Sequence, residues 1–360
     1  MAQEFACCKK IGPFQLFTLK FINQLVFIFS KNHLMDCMLS KRPMFLMLGI
    51  GGIVSFVLSV SIGSSDVGLW ELMKILSGDY GTNIESIFDY RLRRTILATL
   101  VGVSLSSSGC AMQSLFRNPL ADPYILGVSS GASVGAAVAI LTGHGTSPEI
   151  IAAAFISSLM AVYAVYSLGK KSTYFLLLAG IAMATFLSGV TSFLIYISGE
   201  SLRQVLFWIM GGFWTANWTK VKVVLVTAVM GTAVMIFNSW KLNAILLGDE
   251  HAMSVGVDVK KLRRVIISTT AFLTAGAVSV SGVIGFVGII IPHTARLVFG
   301  EDNRILIPAS ILLSAAFMPA VDVVARVSAP GEIPVGIITS LLGAPFFIYL
   351  LRRKRYEAQG

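Results

Sequence analysis

Apolar residues run in ten stretches, each close to the length a helix needs to cross a bilayer. About 20 residues rising 1.5 Å each span about 30 Å of hydrocarbon. The stretches cover 44–62, 95–115, 125–142, 149–168, 174–197, 221–240, 265–281, 283–299, 305–325 and 333–351. Some are short or joined by tight turns, notably at Ser281-Gly282. The pattern predicts an all-α polytopic membrane protein of about ten transmembrane helices, with one domain over 44–355. The connection 63–94 is long enough for a short helix, and Trp70-Glu71-Leu72-Met73-Lys74-Ile75-Leu76 has helical apolar spacing. The extension 1–43 stands apart. Its segment 14–30 is apolar except for Gln15, Lys20 and Asn23, which suits an interfacial helix, an eleventh span or a signal-like anchor. Met35, Met38 and Met44 precede the first clear span, and the preferred expectation is that the genuine start lies at one of them.

Composition agrees with lipid as the main solvent. The hydrophobic fraction is 55% and the charged fraction 13% of 360 residues. A soluble domain averages about 25% charged residues, so a soluble enzyme and a disordered chain are both excluded. The net charge of +10 is accounted for by basic cytoplasmic loops rather than nucleic acid. With the N-terminus inside and alternating spans, 20 of the 28 Lys and Arg fall on the cytoplasmic side and 8 outside. This places both termini in the cytoplasm. It makes 241–264 the longest polar cytoplasmic stretch between spans. The four cysteines have no CxxC spacing, so neither a metal site nor a disulfide framework is expected.

An ion-driven carrier usually holds Asp, Glu or His within its spans. Here Asp322, Arg326, His293 and Arg296 lie within or near span ends, and Glu149 and Glu332 sit at edges. No phosphate-binding loop is present, because Gly169-Lys170-Lys171-Ser172 lacks the GxxxxGK[ST] pattern. Uphill transport would therefore draw its energy from another subunit. A channel or scaffold would share both absences.

Arg91-Leu92-Arg93-Arg94 precedes the second span on the outside, against the positive-inside trend. It reads either as headgroup snorkelling or as a docking site for carboxylates of an extracytoplasmic partner, with Arg326 joining it. Asn118-Pro119-Leu120-Ala121-Asp122-Pro123 must turn, since two prolines four apart break a helix. Gly127, Gly131 and Gly135 then share one helix face, which suits close span packing as well as a pore lining. Ser172, Thr173 and Tyr174 form the turn between the fourth and fifth spans, either an ordinary charged turn or the inner mouth of a pathway. Gly248 and Gly256 bracket about two helical turns holding Asp249, Glu250 and Ala252, with the acids where the helix dipole favours them. That segment reads as an interfacial helix or as one that plugs into a cytoplasmic partner. Gly285, Gly288, Pro292 and His293 predict a bare-faced, kinked helix. His293 has no second His or Cys placed near it, so a structural histidine is expected rather than a metal ligand.

Together and in this order, these stretches resemble the permease family of ABC importers for iron–siderophore, haem and cobalamin complexes (the FecCD/BtuC type), over about 44–355. The residues that carry the resemblance are Arg91-Leu92-Arg93-Arg94-Thr95, Asn118 to Pro123 with Leu126-Gly127-Val128, Leu176-Leu177-Leu178-Ala179-Gly180, Met210-Gly211-Gly212, the Gly248 to Gly256 loop, Gly285-Phe286-Val287-Gly288 with Pro292-His293, and Pro334-Val335-Gly336 through Leu342-Gly343-Ala344-Pro345. The resemblance implies a homodimer with the pathway on its two-fold axis, in a prokaryotic cytoplasmic membrane. Two cytoplasmic ATPase subunits would use ATP and magnesium, and a solute-binding protein would deliver cargo from outside. No cofactor or metal is expected on this chain, and no covalent chemistry. Arg91, Arg94 and Arg326 would receive the binding protein, 241–264 with Gly248–Gly256 would couple to the ATPases, and Ser172, Thr173 and Tyr174 would form the inner gate. The family's two arginines are usually separated by Leu-Pro, and here Arg93 stands in place of that proline. Ferric siderophore leads as cargo by family frequency, with cobalamin and haem as alternatives. An ion-coupled secondary transporter is the rival of another class.

Overall fold

Every element follows from the apolar runs and the residues that interrupt them. The computed structural model describes residues 41–63, 82–143, 145–170, 172–329 and 331–357. Among these there are thirteen α-helices and no strand. They are α1 (Lys41–Ser61), α2 (Thr82–Leu115), α3 (Val128–Leu141), α4 (Ser147–Gly169), α5 (Thr173–Tyr196), α6 (Leu202–Met210), α7 (Trp218–Phe237), α8 (Ser239–Leu246), α9 (Asp249–Ser254), α10 (Val259–Ser281), α11 (Val287–Phe299), α12 (Asn303–Val327) and α13 (Val335–Glu357). Two compact units divide at Met47, and Leu48–Gly360 forms the larger one. The extension lies outside the described residues up to 40; its last three residues open α1, where Pro43 falls in the first turn and needs no hydrogen-bonded N–H. The short helix expected around Trp70–Leu76 also lies outside the described residues.

The ten apolar stretches correspond to ten of the helices, seven of them long and apolar enough to cross a membrane. The other three, within α3, α11 and α13, have shorter apolar helical lengths, Val128–Leu141, Val287–Phe299 and Val335–Ile348. At 14 residues α3 rises only about 21 Å. Gly127 at φ 78° stops the chain just before α3, while Gly282 at φ 70° and Phe286 at φ 66° separate α10 from α11. A left-handed residue ends a helix because the next N–H turns away from the ladder. Such breaks are tolerated at membrane depth when protein rather than lipid surrounds them.

The second helix begins earlier than the expected span at 95. It runs 34 residues from Thr82 and takes in the whole Arg91–Arg94 segment. It is also the hub, packing against α7, α10, α11 and α12. Leu97, Val101, Leu105, Val280, Ile284 and Met318 are buried in the core around it. Glycines permit this packing. A Cβ on Gly109 would sit 1.9 Å from the Gly288 carbonyl oxygen. On the α3–α4 contact, a Cβ on Gly131 would meet Ala161 at 2.8 Å and one on Gly135 would meet the Ala153 oxygen at 2.4 Å. Gly131 and Gly135 therefore form a helix-packing face, but Gly127, expected on that same face, stands outside the helix as its left-handed N-cap. By contrast α5 buries only Leu176, Gly180 and Thr191 and turns Phe186, Phe193 and other large apolar side chains outward.

Candidate functional site

Chemistry-bearing residues gather at the two ends of α2. At its N-terminal end three arginines point inward. Arg94 donates from Nε to both oxygens of Asp322 at 3.0 Å, from Nη2 to Asp322 Oδ1 at 2.9 Å, and from Nη1 to Glu332 at 2.9 Å. Arg326 sits 3.2 Å from Asp322 Oδ2 and donates to the carbonyls of Ser59 and Ile62, both at 2.9 Å. Arg91 donates to the carbonyls of Ser61 at 2.9 Å and Val60 at 3.4 Å. Three cations thus meet two carboxylates and the carbonyls at the end of α1, where the helix dipole is negative. Planar guanidiniums suit this task because each reaches several oxygens at once.

Burial sets the terms for both readings of these arginines. Snorkelling needs guanidiniums among lipid headgroups, and docking needs them accessible. Arg91, Arg94 and Arg326 are 3%, 1% and 4% exposed. Their hydrogen bonds go to this chain's own oxygens, because α2 continues through them as a helix and α12 brings Asp322 alongside. Of that segment's arginines, Arg93 alone remains half-buried, paired with Asp89 one turn earlier.

Past the C-terminal end of α2, the expected coupling loop 241–264 is built mostly of helix. It comprises α8, α9 and the first turns of α10, which Asp258 caps by accepting from Lys261 N at 2.9 Å. Gly248 at φ 123° and Gly256 at φ 82° bracket α9, conformations that favour glycine. Ala252 is fully buried and anchors α9. Asp249 pairs with Arg117 and with Arg263 of α10 at 3.2 Å. Arg117 also donates from Nε to the Ile245 carbonyl at 2.7 Å. Leu247, Met253, Val255 and Glu250 remain exposed around this anchor. Apolar groups exposed on a tethered, mostly polar segment suit a protein partner.

The remaining predicted residues have structural places. Ser172 caps α5, its hydroxyl accepting from Phe175 N at 3.2 Å, and Tyr174 is exposed at that turn beside Thr173. Asn118 folds its own turn, accepting from Leu120 N at 3.0 Å, and Pro119 lies in that turn. Asp122 caps the 3-10 turn Pro123–Leu126 by accepting from Tyr124 N, and burial pushes its carboxyl up to about 6. A Cβ on Gly288 would meet Pro123 at 2.8 Å, whereas one on Gly285 would meet only Ser340, at 3.9 Å. Pro292 lies inside α11, and the buried His293 stands edge-on to Phe346.

The FecCD transport family model matches residues 51–353, a stretch holding both ends of α2 and α9. The chain belongs to the FecCD transport family. It is 46% identical over 272 residues to the cobalamin import system permease protein BtuC of Halobacterium salinarum, covering 74% of this chain and 73% of that one. It is 36% identical to the hemin transport system permease protein HmuU of Yersinia pestis, covering 87% of this chain and 98% of the other. A solved structure described as a metal-chelate type ABC transporter in an inward-facing conformation superposes with a TM-score of 0.78 at 33% identity, over 87% of this chain and 99% of that one. The FecCD-family chain is thus a multi-pass membrane permease subunit of an ABC importer, whose ATPase is a separate partner.

Several residues of this permease escape a reading by motif. Asp322 joins Arg94 across 228 positions, and Tyr90, Glu332 and Arg117 enter only through the fold. Lys220, by sequence one charge in an outside loop, is buried in the first turn of α7. An ionisable residue within or near a span is the signal that marked Asp322, whereas Lys220 lies one residue before its apolar stretch and carries no such signal.

Proposed function

We propose that the chain imports a metal chelate across a prokaryotic plasma membrane, with ferric siderophore as the leading cargo. Two copies form the conduit along a two-fold axis. Two cytoplasmic ATPases, using ATP and magnesium, engage α9, and a solute-binding protein delivers cargo at the opposite end. Both termini then face the cytoplasm. The observation that carries the reading is α9 itself, a short helix held by Arg117, Arg263 and the buried Ala252 while Leu247 and Met253 stay exposed. ATP-driven closure of the ATPases would pull on α9 and tilt the helices packed behind it. The exposed apolar face of α5, with Thr173 and Tyr174 at its start, suits the partner copy and the inner gate. Docking at the Arg94 end requires a partner carboxylate to exchange with Glu332 on Arg94, because Arg91, Arg94 and Arg326 are otherwise engaged.

Cobalamin is the alternative with a specific observation behind it, the 46% identity to a cobalamin permease; haem follows. Reconstituted vesicles holding permease, ATPase and binding protein test the reading. ATP should drive uptake of labelled ferric siderophore with the proton gradient collapsed. Uptake that follows the gradient and ignores ATP would instead support an ion-coupled carrier. Saturable uptake of cobalamin alone would move the cargo to the alternative.

A further inference from the structure

A cavity of about 180 Å³ lies beside the Arg94 end of α2, between the start of α4, helix α6, the turn before α7 and the end of α10. Lys220, Trp208, Trp214, Gln204 and Thr215 are among its lining residues. Lys220 is 6% exposed, and its Nζ donates to the Thr215 hydroxyl. No ion pair involves it among the described residues, and no Asp or Glu is among those lining the cavity. The nearest acid in sequence to the α4 start, Glu149, accepts from Thr146 N and Thr146 Oγ1 instead.

An ammonium has three donors, and burying one with a single neutral hydroxyl partner leaves it poorly compensated. A well-packed protein would either pair such a charge or replace it. Here it faces a void that opens past the exposed Gln204 and Thr215. The indole rings of Trp208 and Trp214 offer an apolar wall. The wall is also held from behind: Tyr90 donates to the Trp214 carbonyl at 3.0 Å and accepts from Arg94 at 3.1 Å, while Trp218 donates to Asp89 at 3.2 Å.

We propose that this cavity binds a carboxylate, one acidic arm of the chelate in transit, with Lys220 as its counter-ion and Thr215 as a second donor. The volume supports an arm rather than a whole cargo, since pockets that enclose a drug-sized ligand run about 300–1,000 Å³. The inference rests on the importer reading only for the identity of the solute. It selects, within the chelate class, cargo carrying free carboxylates over cargo whose arms are amides.

Binding is read on the full permease in lipid nanodiscs by tryptophan fluorescence, with propionate and propionamide as probes. Propionate should give a saturable change with a dissociation constant on the order of 1 mM, corresponding to about 4 kcal/mol, and propionamide none. Lys220→Met should abolish the response and Lys220→Arg should keep it, both variants being checked for an unchanged unfolding midpoint. Should Lys220→Met not fold, Thr215→Val, which removes the second donor and leaves the cation, should weaken propionate several-fold. Equal responses to propionate and propionamide, or a propionate response indifferent to these substitutions, would overturn the proposal. In the assembled transporter, Lys220→Met should slow uptake of a carboxylate-bearing chelate several-fold and spare an amide-armed one. Equal slowing of both would remove the arm-binding role and leave the importer reading standing. Propionate binding in nanodiscs without ATP-driven uptake would do the reverse.

Discussion

Two arginine–aspartate pairs, one on α2 at Arg94 and one just past its C-terminal end at Arg117, lie about 30 Å apart along the helix, and the two pairs are built on opposite terms. The Arg94–Asp322 side chains are 1% and 0% exposed, and the Arg117–Asp249 side chains are 42% and 42%. A buried pair is expensive to assemble and more expensive to break, because the survivor is left charged and dry. A half-exposed pair contributes little either way, since water and salt replace whatever is lost. The Arg94 end therefore fixes α1, α2, α12 and the segment around Glu332 as one body. The α9 end holds its short helix in place while letting it shift at small cost. Under the proposed importer reading, this asymmetry puts a rigid body at one end and a contact that gives at the end the ATPases would engage.

The comparison breaks first at Asp322. Asp322→Ala leaves both Arg94 and Arg326 without their shared carboxylate, and an uncompensated buried charge costs about 3–5 kcal/mol. Thermal unfolding in detergent should show a large drop in midpoint, with much lower yield of folded permease. An unfolding midpoint equal to wild type would mean that the cluster is solvated and the distinction between the ends is false.

Glycines give a smaller and sharper test. The added methyl in Gly109→Ala would stand 1.9 Å from a backbone oxygen of α11, which cannot swing aside. Overpacking of this kind costs about 1–3 kcal/mol, read again as an unfolding midpoint. Nothing lies within 4 Å of a Cβ at Gly248, so only its φ of 123° resists substitution. Gly248→Ala should cost about 1 kcal/mol through backbone strain. It should lower ATP-driven uptake further than Gly109→Ala does when both are compared at equal folded protein.

How much of this is legible in the sequence depends on distance along the chain. The apolar runs locate ten helices because hydropathy is a local property. The break at Gly282 is legible as a tight turn at Ser281-Gly282, whereas Gly127 at φ 78° reads as one more glycine of a helix face, and Phe286 at φ 66° gives no glycine signal. The Gly248–Gly256 segment is legible as a bracketed helix for the same local reason. The Arg91–Arg94 segment is visible, but nothing near it in sequence says that Asp322 lies alongside. Lys220 is hidden by the habit of counting every charge between spans as solvent-facing. Arg117 gains its meaning only from the turn that brings it to Asp249.

Asp249→Asn is the mildest change and the one that separates stability from coupling. The substitution removes the charge that Arg117 and Arg263 share while keeping an oxygen acceptor in the first turn of α9. Both pairs are partly solvated, so the unfolding midpoint should move by less than the equivalent of about 1 kcal/mol. Raising the salt toward about 1 M, where the Debye length falls to about 3 Å, should shrink that difference further. In the assembled transporter, α9 would lose its registration against Arg117, and ATP hydrolysis should continue while cargo moved per ATP falls. A loss of about 0.5–1 kcal/mol at this contact corresponds to a two- to fivefold fall in coupling. Paired measurement of ATP turnover and uptake in the same vesicles reads it directly. Should Asp249→Asn destabilise the permease as strongly as Asp322→Ala, the α9 end would be a fixed structural joint, and the movable contact would have to be sought at the α4–α5 turn.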